Sequence, residues 1–133
     1  MREIEYRGIC LDTIRMVWGS LLQSEIDVGG NCKCTITGRF AYENAIGRSE
    51  VDPETVGQNT GLCDKYGMDV YEGDILANPK GEIGVVVWYR AGFHLKCRRK
   101  NGNILYIPLD EGFLRNKEII GDIHQKPELI KQQ

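Results

Sequence analysis

Five carboxylates, Glu54, Asp64, Asp69, Glu72 and Asp74, crowd one stretch of the chain. Hard cations such as Mg²⁺ or Ca²⁺ require several carboxylate oxygens converging on one point, so this cluster is the clearest opening for metal-assisted chemistry. The spacing argues against a dedicated calcium loop, because Asp64 is followed by Lys65 and Tyr66 where an EF-hand places ligands at alternate positions. Aspartates are also common turn formers, their side chains hydrogen-bonding backbone two residues on. That turn role is the expectation here, and a divalent-metal-dependent enzyme is kept as an alternative.

The thiols offer less. Cys32-Lys33-Cys34 is too closely spaced for a zinc knuckle, and no C-x-x-C pair accompanies it. Cys10, Cys63 and Cys97 complete an odd set of five, read as reduced thiols that behave as small hydrophobes. Cys97 and His94 do not form a nucleophilic pair, since strand residues three apart point to opposite faces. No P-loop and no serine elbow is present. The reading is non-enzymatic, with no catalytic residue, metal or cofactor.

Binding has better support. Lys96, Arg98, Arg99 and Lys100 lead into Asn101-Gly102, and Lys80 and Arg90 lie on loops of the same half. Cations clustered at a hairpin tip neutralise several phosphates at once, and Trp88, Tyr89 or Tyr106 would add stacking for a single strand. These six cations are the candidate nucleic-acid contacts. The competing role is a solvated turn that protects a sheet edge. A protein partner or a second copy of the chain is the leading expectation, with Tyr42 and Tyr66 as candidate interaction residues and a homo-oligomer as its outcome.

Charge supports neither a strongly basic nor a strongly acidic partner surface overall. With 17 basic and 19 acidic residues the net charge is −2. The distribution is uneven: Met1 to Val70 holds 7 basic and 11 acidic residues, net −4, and Tyr71 to Gln133 holds 10 and 8, net +2. The second half is therefore the better anion contact. No apolar run approaches the roughly 18 to 20 residues that span a bilayer. The opening Arg2-Glu3 does not read as a secretory segment, so a cytoplasmic location is expected.

The elements that must position these residues are mainly strands. Met1 to Arg7 alternates apolar and charged residues, with Gly8 closing the strand or marking a bulge. Met16 to Gln23 and Cys32 to Thr37 read as further strands, and Phe40 to Ser49 as a loop or short helix. Asp52-Pro53-Glu54-Thr55 carries an N-cap acceptor, a proline at the first helical position and a first-turn acid, predicting a single helical turn. Gly57, Gly61, Gly67 and Gly73 then recur at the spacing of successive turns, with Asp64 to Gly67 a type I turn. After Glu72-Gly73-Asp74 a meander follows: Ile75 to Ala77, Ile83 to Tyr89, Phe93 to Arg98, Asn103 to Ile107 and Glu118 to His124, with Asn101-Gly102 the strongest hairpin signal. Five short strands with frequent turns predict a small closed barrel.

Val51-Asp52-Pro53-Glu54-Thr55-Val56-Gly57-Gln58, Thr60-Gly61-Leu62, Asp64 with Gly67, and Tyr71-Glu72-Gly73-Asp74-Ile75 together resemble the central signature of the YopX family of phage and prophage proteins. Arg2 to Gly8 resembles its opening strand, and Ile119 to His124 with Pro127-Glu128-Leu129 its close. Asn31 to Arg48 and Asn59 depart from that pattern. The resemblance implies a mainly β (α+β) chain with an N-terminal strand-and-loop region at 1–56, an SH3-like barrel at 57–126 and a tail at 127–133. It also implies a phage or prophage accessory role in the host cell, with a link to DNA packaging as one version, and it makes Gly57, Thr60, Gly61, Asp64, Gly67, Glu72, Gly73 and Asp74 a structural turn signature.

Overall fold

A computed structural model describes residues 4–11, 13–26, 32–40 and 45–131. The chain divides into two compact units, Met1–Asn59 and Thr60–Gln133.

The first unit is an antiparallel sheet of β1 (Tyr6–Ile9), β2 (Met16–Ile26), β3 (Cys32–Phe40), β4 (Ala45–Val51) and the first residues of β5 (Gly57–Cys63), in the order β4-β3-β2-β1-β5. Its core is Cys10, Val17, Ile36 and Val51, with Tyr6 and Val56 packed against them. Gly8 stands inside β1, opposite Val17, and neither closes the strand nor bulges it. A Cβ there would sit 3.1 Å from Val51 and 3.3 Å from Ile36, so the bare backbone is what lets this core close. Of Phe40 to Ser49, expected as loop or short helix, Phe40 ends β3 and residues 45–49 belong to strand β4, paired residue for residue with β3 from Cys34↔Val51 to Phe40↔Ala45. Pairing partners supplied from elsewhere in the chain outweighed a local sequence too polar and glycine-containing to show strand periodicity. Asp52 caps a single 3₁₀ turn, Pro53–Thr55, by accepting the Glu54 amide at 3.1 Å. The Thr55 hydroxyl in turn accepts the Ile9 amide at 2.9 Å, tying that turn to β1.

The second unit begins with the rest of β5 beside β6 (Asp69–Tyr71) and continues into a five-stranded antiparallel sheet. Its strands are β7 (Asp74–Ala77), β8 (Ile83–Tyr89), β9 (Gly92–Arg98), β10 (Ile104–Pro108) and β11 (Glu118–Asp122), in the order β10-β9-β8-β7-β11. β7 to β10 form a meander, and β11 returns to pair with β7. β10 and β11 are the two edges and are not hydrogen-bonded to each other, so the sheet is open. Two four-residue helices, α1 (Glu111–Leu114) and α2 (Glu128–Lys131), complete the unit. Helix α1 was not read from the sequence, although Asp110 caps it by accepting the Phe113 amide at 2.7 Å. The core consists of Val70, Leu76, Val86, Leu95 and Leu114. Each fully buried aliphatic side chain contributes about 1.5–3 kcal/mol. Among the described residues no helix is long and apolar enough to cross a membrane.

Candidate functional site

The alternation in β9 sets the site. Phe93, Leu95 and Cys97 face the core side of the sheet, while His94 and Lys96 take the other face; Arg98, the last residue of the strand, continues that alternation but borders the cleft at the strand's end. Beyond the strand the chain turns in a three-residue loop: Arg99 N–H donates to the Asn103 carbonyl at 2.8 Å, and Gly102 N–H to the Arg99 carbonyl at 2.9 Å. Gly102 adopts φ +88, the left-handed geometry such a loop requires of its last residue. Arg99 and Lys100 are thereby held exposed at the tip.

Asn78 organises the β7–β8 connection. Its side-chain oxygen accepts the Lys80 amide at 3.0 Å and the Glu82 amide at 2.9 Å, while its carbonyl accepts the Gly81 amide at 2.9 Å. This turn carries Lys80 to the same side as the β9–β10 hairpin. Between the two lies a cleft of about 1030 Å³. Its apolar wall comes from Leu76, Ile83, Leu95, Cys97, Leu105, Ile107 and Phe113, and its cations are Lys80, Arg98, Arg99, Lys100 and Lys117. Glu82 is the single acid among the described lining residues.

Four of the six cations read from the sequence therefore come together. Lys96 does not line the cleft; it stands opposite Val85 and Tyr106 on the other sheet face. Arg90 lies in the β8–β9 turn with its guanidinium 5.1 Å from the Tyr89 ring centroid. That second face carries Tyr89 stacked on Tyr106 at 3.8 Å, with His94 edge-on to Tyr89 at 5.4 Å.

Phe113, Lys117 and Glu82 escaped the sequence reading. The signal for the first two was Asp110-Glu111, a cap followed by a first-turn acid. Lys117 Nζ donates to the Phe113 carbonyl at 3.2 Å and to Asn116 Oδ1, and lies 4.2 Å from the Phe113 ring centroid. This largely buried charge braces the wall. Cys97 sits at the floor because Gly84 opposite has no side chain: a Cβ there would come 2.9 Å from Cys97 Sγ and 2.7 Å from Leu95 Cγ. Burial pushes the Cys97 thiol up from its ordinary range, Glu82 adding to the shift and Lys117 opposing it.

Two of the carboxylates, Asp64 and Asp74, are occupied by backbone amides. Asp64 Oδ1 accepts the amides of Tyr66 at 2.9 Å and Met68 at 3.0 Å, and its Oδ2 accepts Ile119 at 3.2 Å. Asp74, 1% exposed, accepts the Tyr71 amide at 2.7 Å across a turn in which Gly73 takes φ +94. Asp69 accepts from Cys63 Sγ at 3.6 Å. Glu54 belongs to the 3₁₀ turn of the first unit, and Glu72 to the turn with Gly73. Thr60 Oγ1 donates to the Val70 carbonyl at 2.7 Å, fastening β5 to β6, while Gly61 and Gly67 take φ +88 and +80 and Gly57 faces Arg7 in the β5–β1 pairing. Among the described residues no three His, Cys, Asp or Glu side chains are grouped to hold a metal. Tyr66 is 67% exposed, with Lys65 Nζ 5.1 Å from its ring centroid. Tyr42 lies outside the described residues.

A family model described as YopX protein matches residues 5–131. The chain belongs to the YopX family. Among solved structures it is similar to the crystal structure of protein EF1440 from Enterococcus faecalis, at 19% identity over 96% of this chain and 98% of that one, with a TM-score of 0.44. No curated protein matches it. In this YopX-family chain the signature stretch is scaffolding: turns at 64–67 and 71–74, and strand β5, which holds Gly57, Thr60 and Gly61 where turns were expected, whereas the cleft is built from the meander that follows.

Proposed function

We propose that this protein is a non-enzymatic accessory protein of phage or prophage origin, acting in the host cytoplasm, whose C-terminal unit holds an extended acidic segment of a partner protein. The observation that carries this reading is the cleft itself, with five cations and one acid around an aliphatic wall. Carboxylates of a partner meet Lys80, Arg98, Arg99 and Lys100, while its apolar side chains cover Leu105, Ile107 and Phe113. The turn roles of Asp64 and Asp74 support binding over metal-assisted chemistry. The finer fold reading, an SH3-like unit, rests on the strand order, in which the last strand returns beside the first strand of the meander, with the sheet open where a closed barrel was expected.

The test is a fluorescence-anisotropy titration with a labelled synthetic peptide of alternating glutamate and leucine. Arg99→Glu combined with Lys100→Glu should weaken binding by about tenfold or more, since each exposed ion pair is worth roughly 0.2–1 kcal/mol and charge reversal replaces the attraction with repulsion. Unchanged binding in that variant, with the fold intact, would refute the reading.

A second reading has its own observation. Tyr89, Tyr106 and His94 form an aromatic group beside Lys96, the mixture of rings and charge that contacts single-stranded nucleic acid. Lys96→Glu with Tyr106→Ala would abolish retention of a random single-stranded pool in that case and leave peptide binding unaltered. Self-association is proposed alongside, with the exposed Tyr66 as its contact; Tyr66→Ala should lower the mass measured by light scattering if it holds.

A further inference from the structure

We infer that the acidic segment enters as an added β-strand on the free edge of β10. This deepens the reading of the cleft as a peptide site and rests on it.

The hydrogen-bond phase of β10 fixes which backbone groups are available. Arg99 N–H bonds the Asn103 carbonyl at one end of the β9–β10 ladder, and Leu109 N–H bonds the Phe93 carbonyl at the other. Hydrogen-bonded pairs alternate along an antiparallel ladder, so Leu105 and Ile107, paired with Cys97 and Leu95, direct their N–H and C=O toward β9. Ile104 and Tyr106 direct theirs away from the sheet. β10 is an outer strand among the described residues. At the next outward position stands Pro108, which has no N–H and ends the usable edge.

Sheet edges in monomeric proteins are commonly guarded by charges, prolines or bulges. β11, at the opposite edge, follows that rule: it begins with Glu118, ends with Asp122 and carries an irregularity between Ile119 and Gly121. β10 does not. Ile104-Leu105-Tyr106-Ile107 has no charged side chain, and Ile104 is 47% exposed. An edge left this way suits a strand partner.

Geometry then links the edge to the cleft. Directly opposed residues of neighbouring strands project to the same face. Residues of the added strand facing Leu105 and Ile107 therefore project over the cleft those two side chains line. The end near the hairpin lies beside Arg98, Arg99 and Lys100. The occupant so defined is an extended acidic peptide with apolar residues two apart and carboxylates at the hairpin end. Backbone bonds to Ile104 and Tyr106 supply attachment, and the cleft supplies selectivity.

The alternating glutamate–leucine peptide is the probe. On saturation, amide hydrogen exchange at Ile104 and Tyr106 should slow by about tenfold or more, with much smaller changes at Leu105 and Ile107, whose amides already bond β9. Peptides N-methylated at the residues that meet Ile104 and Tyr106 should bind about tenfold more weakly, and those methylated at the intervening residues should bind normally. If the peptide binds, and charge reversal at Arg99 and Lys100 weakens it, yet both methylated series bind alike, the edge proposal falls while the cleft reading stands. If the peptide does not bind at all, both fall. Protection of Ile104 and Tyr106 that rises with protein concentration in the absence of peptide would identify a second copy of the chain as the occupant and overturn the choice of an acidic peptide.

Discussion

At the residue scale, the family signature works through carboxylates that replace missing backbone partners. Asp64 gathers three amides, from Tyr66, Met68 and Ile119, and so joins the β5–β6 turn to β11 within the second unit. Removing an acceptor that leaves such donors unpaired costs about 1–3 kcal/mol. Asp64→Ala and Asp74→Ala should each lower the unfolding free energy obtained from urea denaturation by about that amount, and Asp74→Asn, which keeps an oxygen near the Tyr71 amide, should cost less. Titration with Mg²⁺, Ca²⁺ or Mn²⁺ should leave the melting temperature unmoved, since stabilisation by a ligand requires preferential binding to the folded state. The thiols give a second prediction. Cys63 is exposed, Cys10 is buried and Cys97 is partly covered at the cleft floor with its ionisation pushed to higher pH. Peptide mapping after brief iodoacetamide treatment should find Cys63 modified well before Cys97 near neutral pH. A thiol whose folded-state pKa is raised stabilises the fold below its ordinary range and loses that contribution as pH climbs through the raised value. Stability of the parent protein should therefore fall relative to Cys97→Ala only in alkaline solution.

At the element scale, the meander depends on close approach between β8 and β9. An alanine methyl at Gly84 would stand 2.7 Å from Leu95 Cγ, 2.9 Å from Cys97 Sγ and 3.0 Å from the Lys96 carbonyl oxygen. The last contact is backbone and cannot rotate away. Gly84→Ala should cost about 1–3 kcal/mol and weaken peptide binding, because Leu95 and Cys97 form the cleft floor. Gly102→Ala meets open space and pays only for its left-handed backbone, about 1–2 kcal/mol. Chemical denaturation should find Gly84→Ala at least as destabilised as Gly102→Ala, with binding impaired selectively in Gly84→Ala. The strands of this half were legible because Phe93, Leu95 and Cys97 alternate visibly with His94, Lys96 and Arg98, and because Asn101-Gly102 marks its hairpin. β4 was not, since the pairing of Gly38 with Gly47 is decided by β3 and leaves no local pattern. Four-residue α1 was too short to show a helical period. Lys80 could be recognised as a loop cation but not as a neighbour of Arg99, because that adjacency follows from the register of β7 through β10.

At the scale of the whole molecule, the weak net charge of −2 conceals a local concentration of cations in the second unit, and salt dependence separates its two readings. Contact with duplex DNA through four cations releases counterions with a slope near −0.9 per phosphate, so a fourfold rise in salt should weaken it about 150-fold; for a single strand, at about −0.7, the loss is about 50-fold. An acidic peptide carries no condensed counterion atmosphere of that kind. Screening halves the Debye length over the same fourfold range and attenuates only the ionic part of the contact, while burial against Leu105, Ile107 and Phe113 is insensitive to it. Peptide affinity should consequently drop by less than about tenfold between roughly 50 and 200 mM salt, and the residual binding should persist in Lys80→Ala but not when the apolar wall is broken by Ile107→Asp. A steep loss of peptide affinity with salt, indifferent to Ile107→Asp, would instead show that charge alone holds the peptide, and a random nucleic-acid pool retained at low salt with the steep slope above would transfer the site to the cation-bearing hairpin and its aromatic face.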